Sequence, residues 1–296
     1  MAREVVERIS DLNKVDELTE NKILFQDDKE NVFLKNSEII FKGKNNIVFL
    51  ENDVTLRDST IIFEGNNNVV YLSSTTKLYL LKVTTFNNSV FYMGENNYLS
   101  GTLYATISER KHLLIGDEGV FSFGLFIRLA DGHMIYDANT HERINPSKSV
   151  FIGDRVWLGQ DSIILKGTKI GSGSIVGAKS VVSGKTIPSN TVWGGNPAKQ
   201  IKKDVFFTKT SVNGFKAKKT KKTMVNEDDL FIYEKEEGIT KSFGKIDKDF
   251  TKIKDPEEKL QYIIENIRNC KEKNRFFVGE AKKPSLKSRI ASKFKK

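Results

Sequence analysis

Between residues 152 and 187 an aliphatic side chain recurs at every sixth position: Ile152, Leu158, Ile164, Ile170, Val176 and Val182. A period of six is neither the alternation of a lone strand nor the 3.6-residue period of a helix. It suits a chain that makes a short strand, turns and repeats. Three such units close a triangular coil, and stacked coils bury a column of aliphatic residues. Glycine follows the anchor at Gly153, Gly159, Gly171 and Gly177, where the turns need backbone freedom. The residues four after each anchor are Val156, Ser162, Thr168, Ser174, Ser180 and Thr186, all small or β-branched. They are expected near the corners, where bulk does not fit.

The N-terminal half repeats on a longer period. Residues 37–50 (SEIIFKGKNNIVFL) and 59–72 (STIIFEGNNNVVYL) agree at nine of fourteen positions at an offset of 22, and the Asn-Asn pairs at 87–88 and 96–97 echo them. Asparagine tolerates left-handed turn geometry, and stacked asparagines hydrogen-bond along a corner. These pairs read as turn residues with no binding role. The expected organisation is an amphipathic helical cap over 1–23, a cruder β-solenoid over 24–114, a regular solenoid over 115–203 with an irregular loop at 131–149, and a charged extension over 204–296. In the cap Val5, Ile9, Leu12, Val15 and Leu18 stand at helical spacing. In the extension a helix is expected over about 256–273, with Asp255 as N-cap and Leu260, Ile263, Ile264 and Ile267 on one face. The tail 282–296 carries seven Lys or Arg and no acid, as a basic amphipathic helix or a solvated end would.

Composition narrows the function classes. No apolar run approaches the roughly 20 residues that span a bilayer. The charged start Met1-Ala-Arg-Glu lacks an apolar signal core, so a cytoplasmic protein is expected. The single cysteine, Cys270, argues against a zinc–thiolate site and a disulfide framework. The net charge of +10 points to an anionic partner: a phosphorylated co-substrate, an acidic glycan, nucleic acid or an anionic membrane face.

One stretch breaks the repeat and is rich in chemistry. It runs from Asp131-Gly132-His133 through Tyr136-Asp137 and His141-Glu142-Arg143 to Asn145-Pro146, and it holds two of the three histidines. A loop thrown from a rigid solenoid is a good place for a site, because the scaffold fixes what the loop carries.

Taken together, the hexads, this loop, the opening Ile152–Gly159 and the exit Gly194-Gly195-Asn196-Pro197-Ala198-Lys199 resemble the hexapeptide-repeat acyltransferases, and within them the bacterial O-acetyltransferases of sugars, capsular polysaccharide and sialic acid. The resemblance is strong over about 115–203, weak over 24–114 and absent after about 204. It implies an all-β fold, a left-handed parallel β-helix, usually a homotrimer with active sites between neighbouring subunits. It implies acetyl-CoA as co-substrate and no metal. It makes His133 the general base and Trp157 a wall of the acetyl-donor site, puts Gly159, Gly177 and Ala178 along the pantetheine arm, and sets Lys199 and Lys202 toward the nucleotide phosphates.

The chemistry is coherent. A sugar hydroxyl is a poor nucleophile at neutral pH, and an imidazole titrates near neutrality, so it can take the proton as attack begins. The tetrahedral oxyanion needs a preorganised donor, for which a backbone N–H is favoured over the Trp157 indole. Transfer is expected to be direct, since the one cysteine lies outside the repeats. Asp131 and Asp137 are both near enough in sequence to orient His133, and the sequence does not choose between them. Tyr136, His141 and Arg143 are candidates for acceptor binding. Each has a plainer reading: His141 as a solvated residue, Arg143 as a surface charge, Trp157 as packing inside a hexad. His112, before an apolar strand, reads as structural.

Two rival readings fit the residues less well. A solenoid zinc enzyme needs three converging histidines, and the spacing here supplies none. A non-catalytic scaffold binding an anionic membrane or nucleic acid through its basic end leaves the His133 loop unexplained, and the basic segments lack the interleaved aromatics of a nucleic-acid module. Contact of 282–296 with an anionic membrane is retained as an expectation; nucleic acid is not.

Overall fold

The computed structural model describes residues 6–280, so the basic tail expected at 282–296 lies outside the described residues. The body is a parallel β-solenoid of about seven turns, matching the left-handed β-helices. Its first face holds the strands Glu38–Phe41, Thr60–Phe63, Leu81–Thr85, Leu103–Ile107, Leu125–Arg128, Ile163–Leu165 and Val181–Val182. Its second face runs from Lys22–Phe25 and Ile47–Leu50 through His112–Ile115 and Val150–Ile152 to Thr186–Ile187. The third carries Tyr98–Leu99, Val120–Phe121, Trp157–Leu158, Ile175–Val176 and Thr191–Gly194.

The six hexad anchors visit these faces in rotation, second, third, first, and then again. None is more than 1% exposed. Of the expected corner residues Val156, Ser162, Thr168, Ser174 and Ser180 are buried, and Thr186 alone is exposed. The register also bears out the longer repeat: Ile39 pairs with Ile61 and Ile47 with Val69, each 22 residues on. Apart from one step of 21, from Val69 to Val90, that spacing persists as far as Phe126, opposite Tyr104. Past the irregular loop it drops to 18, with Trp157 opposite Ile175 and Ile163 opposite Val181.

The asparagines of the long coils form a buried ladder. The Asn46 amide and side chain donate to Asn21 Oδ1, those of Asn68 donate to Asn46 Oδ1, and the Ser89 N–H donates to Asn68 Oδ1, at 2.8–3.0 Å. Each rung satisfies a corner amide that would otherwise be buried unpaired.

The N-terminal cap is shorter than its spacing suggests. Ile9 lies in a strand, Glu7–Ile9, that pairs antiparallel with Glu38–Phe41, and only Leu12–Glu17 is helical, as a 3₁₀ turn. Val5 lies outside the described residues. Leu12, Val15 and Leu18 still close the end of the core. The open edge of the first coil offers backbone hydrogen bonds, which a strand answers and a helix cannot.

The extension adds α1 (Ala217–Lys222), α2 (Phe243–Lys252) and α3 (Pro256–Ile263), the last continued by a π-helical turn, Ile264–Arg268. The helix expected over 256–273 therefore stops at Arg268. Asp255 caps it as expected, accepting from the Glu257 and Glu258 amides at 2.8 and 3.1 Å. Phe243, Ile246, Phe250, Leu260 and Ile263 cover the outward residues Tyr71, Tyr92, Leu114 and Phe151 of the second face. Each fully buried side chain of this kind contributes about 1.5–3 kcal/mol. His112 is sealed beneath them, its ring 5.1 Å from Phe250 and both nitrogens without partners. Burial holds it well below the usual imidazole range, so it is neutral and structural.

Ion pairs fasten the extension along the corner between the second and third faces. Arg275 Nη2 sits 2.7 Å from both Asp117 and Asp154, and Arg268 reaches Glu51 and, at 3.0 Å, Glu95. Downstream, the Ser172 and Ser189 amides donate to the Phe276 and Val278 carbonyls at 3.2 and 2.8 Å.

Candidate active site

The chain leaves the first face after Arg128 and rejoins the second at Val150. The corresponding corner one coil earlier turns within Ser108–Lys111, so the His133 segment is an insertion at a single corner. Its middle folds back on itself. The Ile144 N–H donates to Ile135 O and the Asp137 N–H to Glu142 O, both at 2.9 Å, and Tyr136 bridges Arg143. The turn is closed by Asp137, whose carboxylate accepts from the Asn139 and Thr140 amides at 2.8 Å, and by His141 in the left-handed region at φ 58°.

Three side chains pin this hairpin to its corner. Buried Asn145 accepts from the Ile135 N–H and donates to the His133 carbonyl, both at 2.8 Å. Asp131 accepts from Lys166 and Asn145. Glu109 takes Arg143 at 2.7 Å and both the amide and hydroxyl of Ser147. Hydrogen bonds from Arg143 and Ser147 lower the Glu109 carboxyl to about 2. Those from Lys166 and Asn145 lower Asp131.

The expected residues divide accordingly. His133 and Tyr136 stand exposed on the hairpin, with Met134, Ile135 and Ile144 each at least 50% exposed beside them. Neither Asp131 nor Asp137 hydrogen-bonds the His133 ring; each is spent on holding the hairpin. Arg143 is committed to Glu109. His141 shapes the turn. Asn145, Glu109 and Lys166 escaped the sequence reading. Glu109 and Lys166 meet the loop from 34 and 35 residues away, a separation that no local pattern encodes.

Trp157 lies elsewhere. It points outward from the third face, 39% exposed, with the Phe207 ring 5.7 Å away. Gly159 and Gly177 stack at the following corner. A Cβ on Gly159 would sit 2.5 Å from the Ala178 amide, so coil spacing demands glycine there; at Gly177 the nearest atom would be 3.5 Å off, an ordinary contact. Ala178 is exposed. Lys199 and Lys202 lie exposed on the strand Lys199–Lys203, which folds back antiparallel on Thr191–Gly194 and closes the end of the solenoid. In a triangular prism the corner between first and second faces lies across from the third face. The hairpin makes all its fixing contacts at that corner, so one chain presents His133 and Trp157 on opposite sides.

Among the described residues no three His, Cys, Asp or Glu side chains converge on a metal position, and no helix is long and apolar enough to cross a membrane.

Comparison with known proteins places this geometry. Residues 149–184 match the family model described as bacterial transferase hexapeptide (six repeats). The chain is 34% identical over 110 residues to a polysialic acid O-acetyltransferase of Escherichia coli O1:K1 / APEC, covering 37% of this chain and 36% of that one. It thus spans about a third of the length of that relative. It is 36% identical over 129 residues to Protein CapG of Staphylococcus aureus, covering 43% of this chain and 73% of CapG. The crystal structure of the polySia specific acetyltransferase NeuO superposes with a TM-score of 0.58 at 27% identity, covering 69% of this chain and 86% of that one. The repeat, the coil register and these matches agree, and the chain belongs to the bacterial hexapeptide-repeat transferases.

Proposed function

We propose that the chain is an acetyl-CoA-dependent O-acetyltransferase that moves an acetyl group to a hydroxyl of a bacterial surface or capsular polysaccharide, with polysialic acid the first acceptor to try. The observation that carries this reading is the His133 hairpin, an insertion fastened by Asn145, Asp131 and Glu109 to one corner of a hexapeptide β-helix. The named relatives support the acceptor class.

In the proposed reaction His133 takes the proton of the acceptor hydroxyl as its oxygen attacks the thioester carbonyl of acetyl-CoA. A backbone N–H holds the oxyanion. The C–S bond then breaks, and the proton passes to the departing thiolate. The products are the sugar ester and free CoA. Asp131 and Asp137 act as positioning residues for the hairpin. Trp157 lines the donor path. Gly177, which its own coil does not require, leaves room for the pantetheine arm, and exposed Lys199 and Lys202 suit the phosphates.

His133 and Trp157 face opposite ways in one chain, so the site takes them from two copies. The exposed apolar residues Met134, Ile135 and Ile144 on the hairpin arms and the stacked pair Tyr104–Phe126 on the outer first face, with ring centroids 4.8 Å apart, suit subunit contacts in a homotrimer. The same reading puts the enzyme in the cytoplasm at the inner membrane face.

Free thiol release from acetyl-CoA with polysialic acid, sialic acid and simple sugars tests the proposal. His133→Ala is expected to lower acceptor-dependent release by ~10² or more while CoA still binds. Trp157→Ala is expected to weaken donor binding. Mixed and reassembled, the two variants should recover part of the wild-type rate, because hybrid oligomers contain one intact site. A folded wild type that neither binds CoA nor releases thiol would sink the reaction; variants that never complement would sink the shared site.

A further inference from the structure

A groove of about 1000 Å³ runs along the third face, outside the hairpin and the closing strand. Its floor is an outward column of one residue per coil, Tyr98, Val120 and Trp157, flanked by the Ser100 and Ser122 hydroxyls. The opposite wall is the first part of the extension, Lys209–Asn213. This wall is fastened at its start. The Val205 N–H donates to Asn190 O at 2.9 Å, the Phe207 ring lies tilted at 5.7 Å from Trp157, and Lys209 Nζ sits 2.7 Å from Glu118. Arg155 lies over Phe231 at 4.1 Å and beside Phe207 at 5.8 Å.

Past Asn213 the wall becomes a cationic arm. Lys216, Lys218, Lys219, Lys221 and Lys222 follow one another with no acidic residue between them. The short helix Ala217–Lys222 buries none of its residues. Among the described residues these lysines form no salt bridge. An isolated helix this short is marginal in water, and its four lysines, with Lys216 at the N-cap, repel one another. An anionic chain laid along the arm relieves the repulsion.

We propose that the groove and the arm form one track for an anionic polysaccharide. The sugar faces lie on Tyr98 and Trp157, the Ser100 and Ser122 hydroxyls meet the ring hydroxyls, and the lysines take the carboxylates of the units further out. Exposed Met224 and Val225 lie beside the arm and would also suit a lipid surface. The aromatic floor flanked by the Ser100 and Ser122 hydroxyls suits sugar rings and favours the carbohydrate. The tie to catalysis at the Trp157 end rests on the acetyltransferase reading; the binding itself does not.

The test uses the full chain with all five arm lysines changed to Gln, positions exposed enough to leave the fold intact. Binding of fluorescently labelled polysialic acid at low salt is expected to weaken about tenfold or more, and its salt dependence to flatten. In the transfer assay KM for polysialic acid rises, while kcat, KM for short sialic acid oligomers and CoA binding stay put. Tyr98→Ala is expected to weaken polymer binding and leave the salt slope unchanged. Equal polysialic acid affinity in wild type and lysine variant overturns the track, as does a wild type that does not bind the polymer. Loss of binding to phosphatidylglycerol vesicles with polysialic acid affinity retained also overturns it, and makes the arm a membrane contact. A wild type that binds polymer through the arm but acetylates nothing leaves the track standing and removes the reaction.

Discussion

The coils before and after the hairpin solve the same problem in two ways. Before it, a coil takes 22 residues, strands on the first two faces run to four or five residues, and a corner is held by hydrogen-bonded asparagine side chains. After it, a coil takes 18, strands shrink to two or three, and the corners are filled by Ser162, Thr168, Ser174 and Ser180. The longer coil brings more backbone into each corner, and every buried amide must find a partner. Its outward second face is also apolar and is covered by the helices of the extension. The shorter coil fills its corners with small side chains and tight glycines around the aliphatic column. The extension meets both kinds of coil, with Phe243, Arg275, Phe276 and Val278 on Phe151, Asp154, Ser172 and Ser189 of the short ones; what separates the two is the corner, held by side-chain amides in the long coils and by small residues in the short ones.

The largest expected effect comes from thinning the cover on the second face. Phe250→Ala opens a cavity between α2 and the second face and is expected to cost about 3–5 kcal/mol, seen as a lower urea midpoint. An effect under ~1 kcal/mol would mean that the long coils do not depend on the extension. Next in size is the ladder. Asn68→Ala strands the Ser89 amide and takes one of the two donors from Asn46 Oδ1, and should cost about 1–3 kcal/mol.

A pH dependence should follow from the ion pairs that seat the extension. Arg275 lies between two carboxylates and can neutralise one, so burial beside Asp154 pushes the Asp117 carboxyl up to about 7. The folded state then holds that proton more tightly than the unfolded chain does. Its contribution to stability is greatest at low pH and is lost as pH rises from about 4 toward 7. Thermal midpoints measured across that range should fall with pH in the wild type and stay level in Asp117→Asn. Equal slopes in the two would remove Asp117 as the cause.

The smallest effect is expected in the short coils. Ser162 Oγ is buried without a partner, so Ser162→Ala should change stability by less than ~0.5 kcal/mol, or raise it slightly. A loss as large as that of Asn68→Ala would erase the distinction between the two corner types.

Much of this was legible in the chain. Ile152 through Val182 marked the faces, the 22-residue echo marked the register, and Asp255 marked the start of α3. The cap misled because Ile9 and Leu12 fit a helical stripe as well as they fit a strand followed by a 3₁₀ turn. The end of α3 misled because nothing local marks Arg268, whose role is to reach Glu51, 217 residues away. At the site, His133 and Trp157 stood out by motif. Their placement on opposite sides did not, and neither did the commitment of Asp131, Asp137 and Arg143 to the hairpin.

By itself, then, the sequence determined the solenoid, its coil lengths and the position of the inserted hairpin, because each is a periodic signal or a break in one and needs only neighbouring residues to be read. The tertiary structure decided where the extension docks, which face it covers, how the groove along Trp157 is walled and that Asp131 and Asp137 hold the hairpin instead of the His133 ring. Those outcomes rest on pairs such as Arg275 with Asp154, 121 residues apart, which only the folded chain brings together.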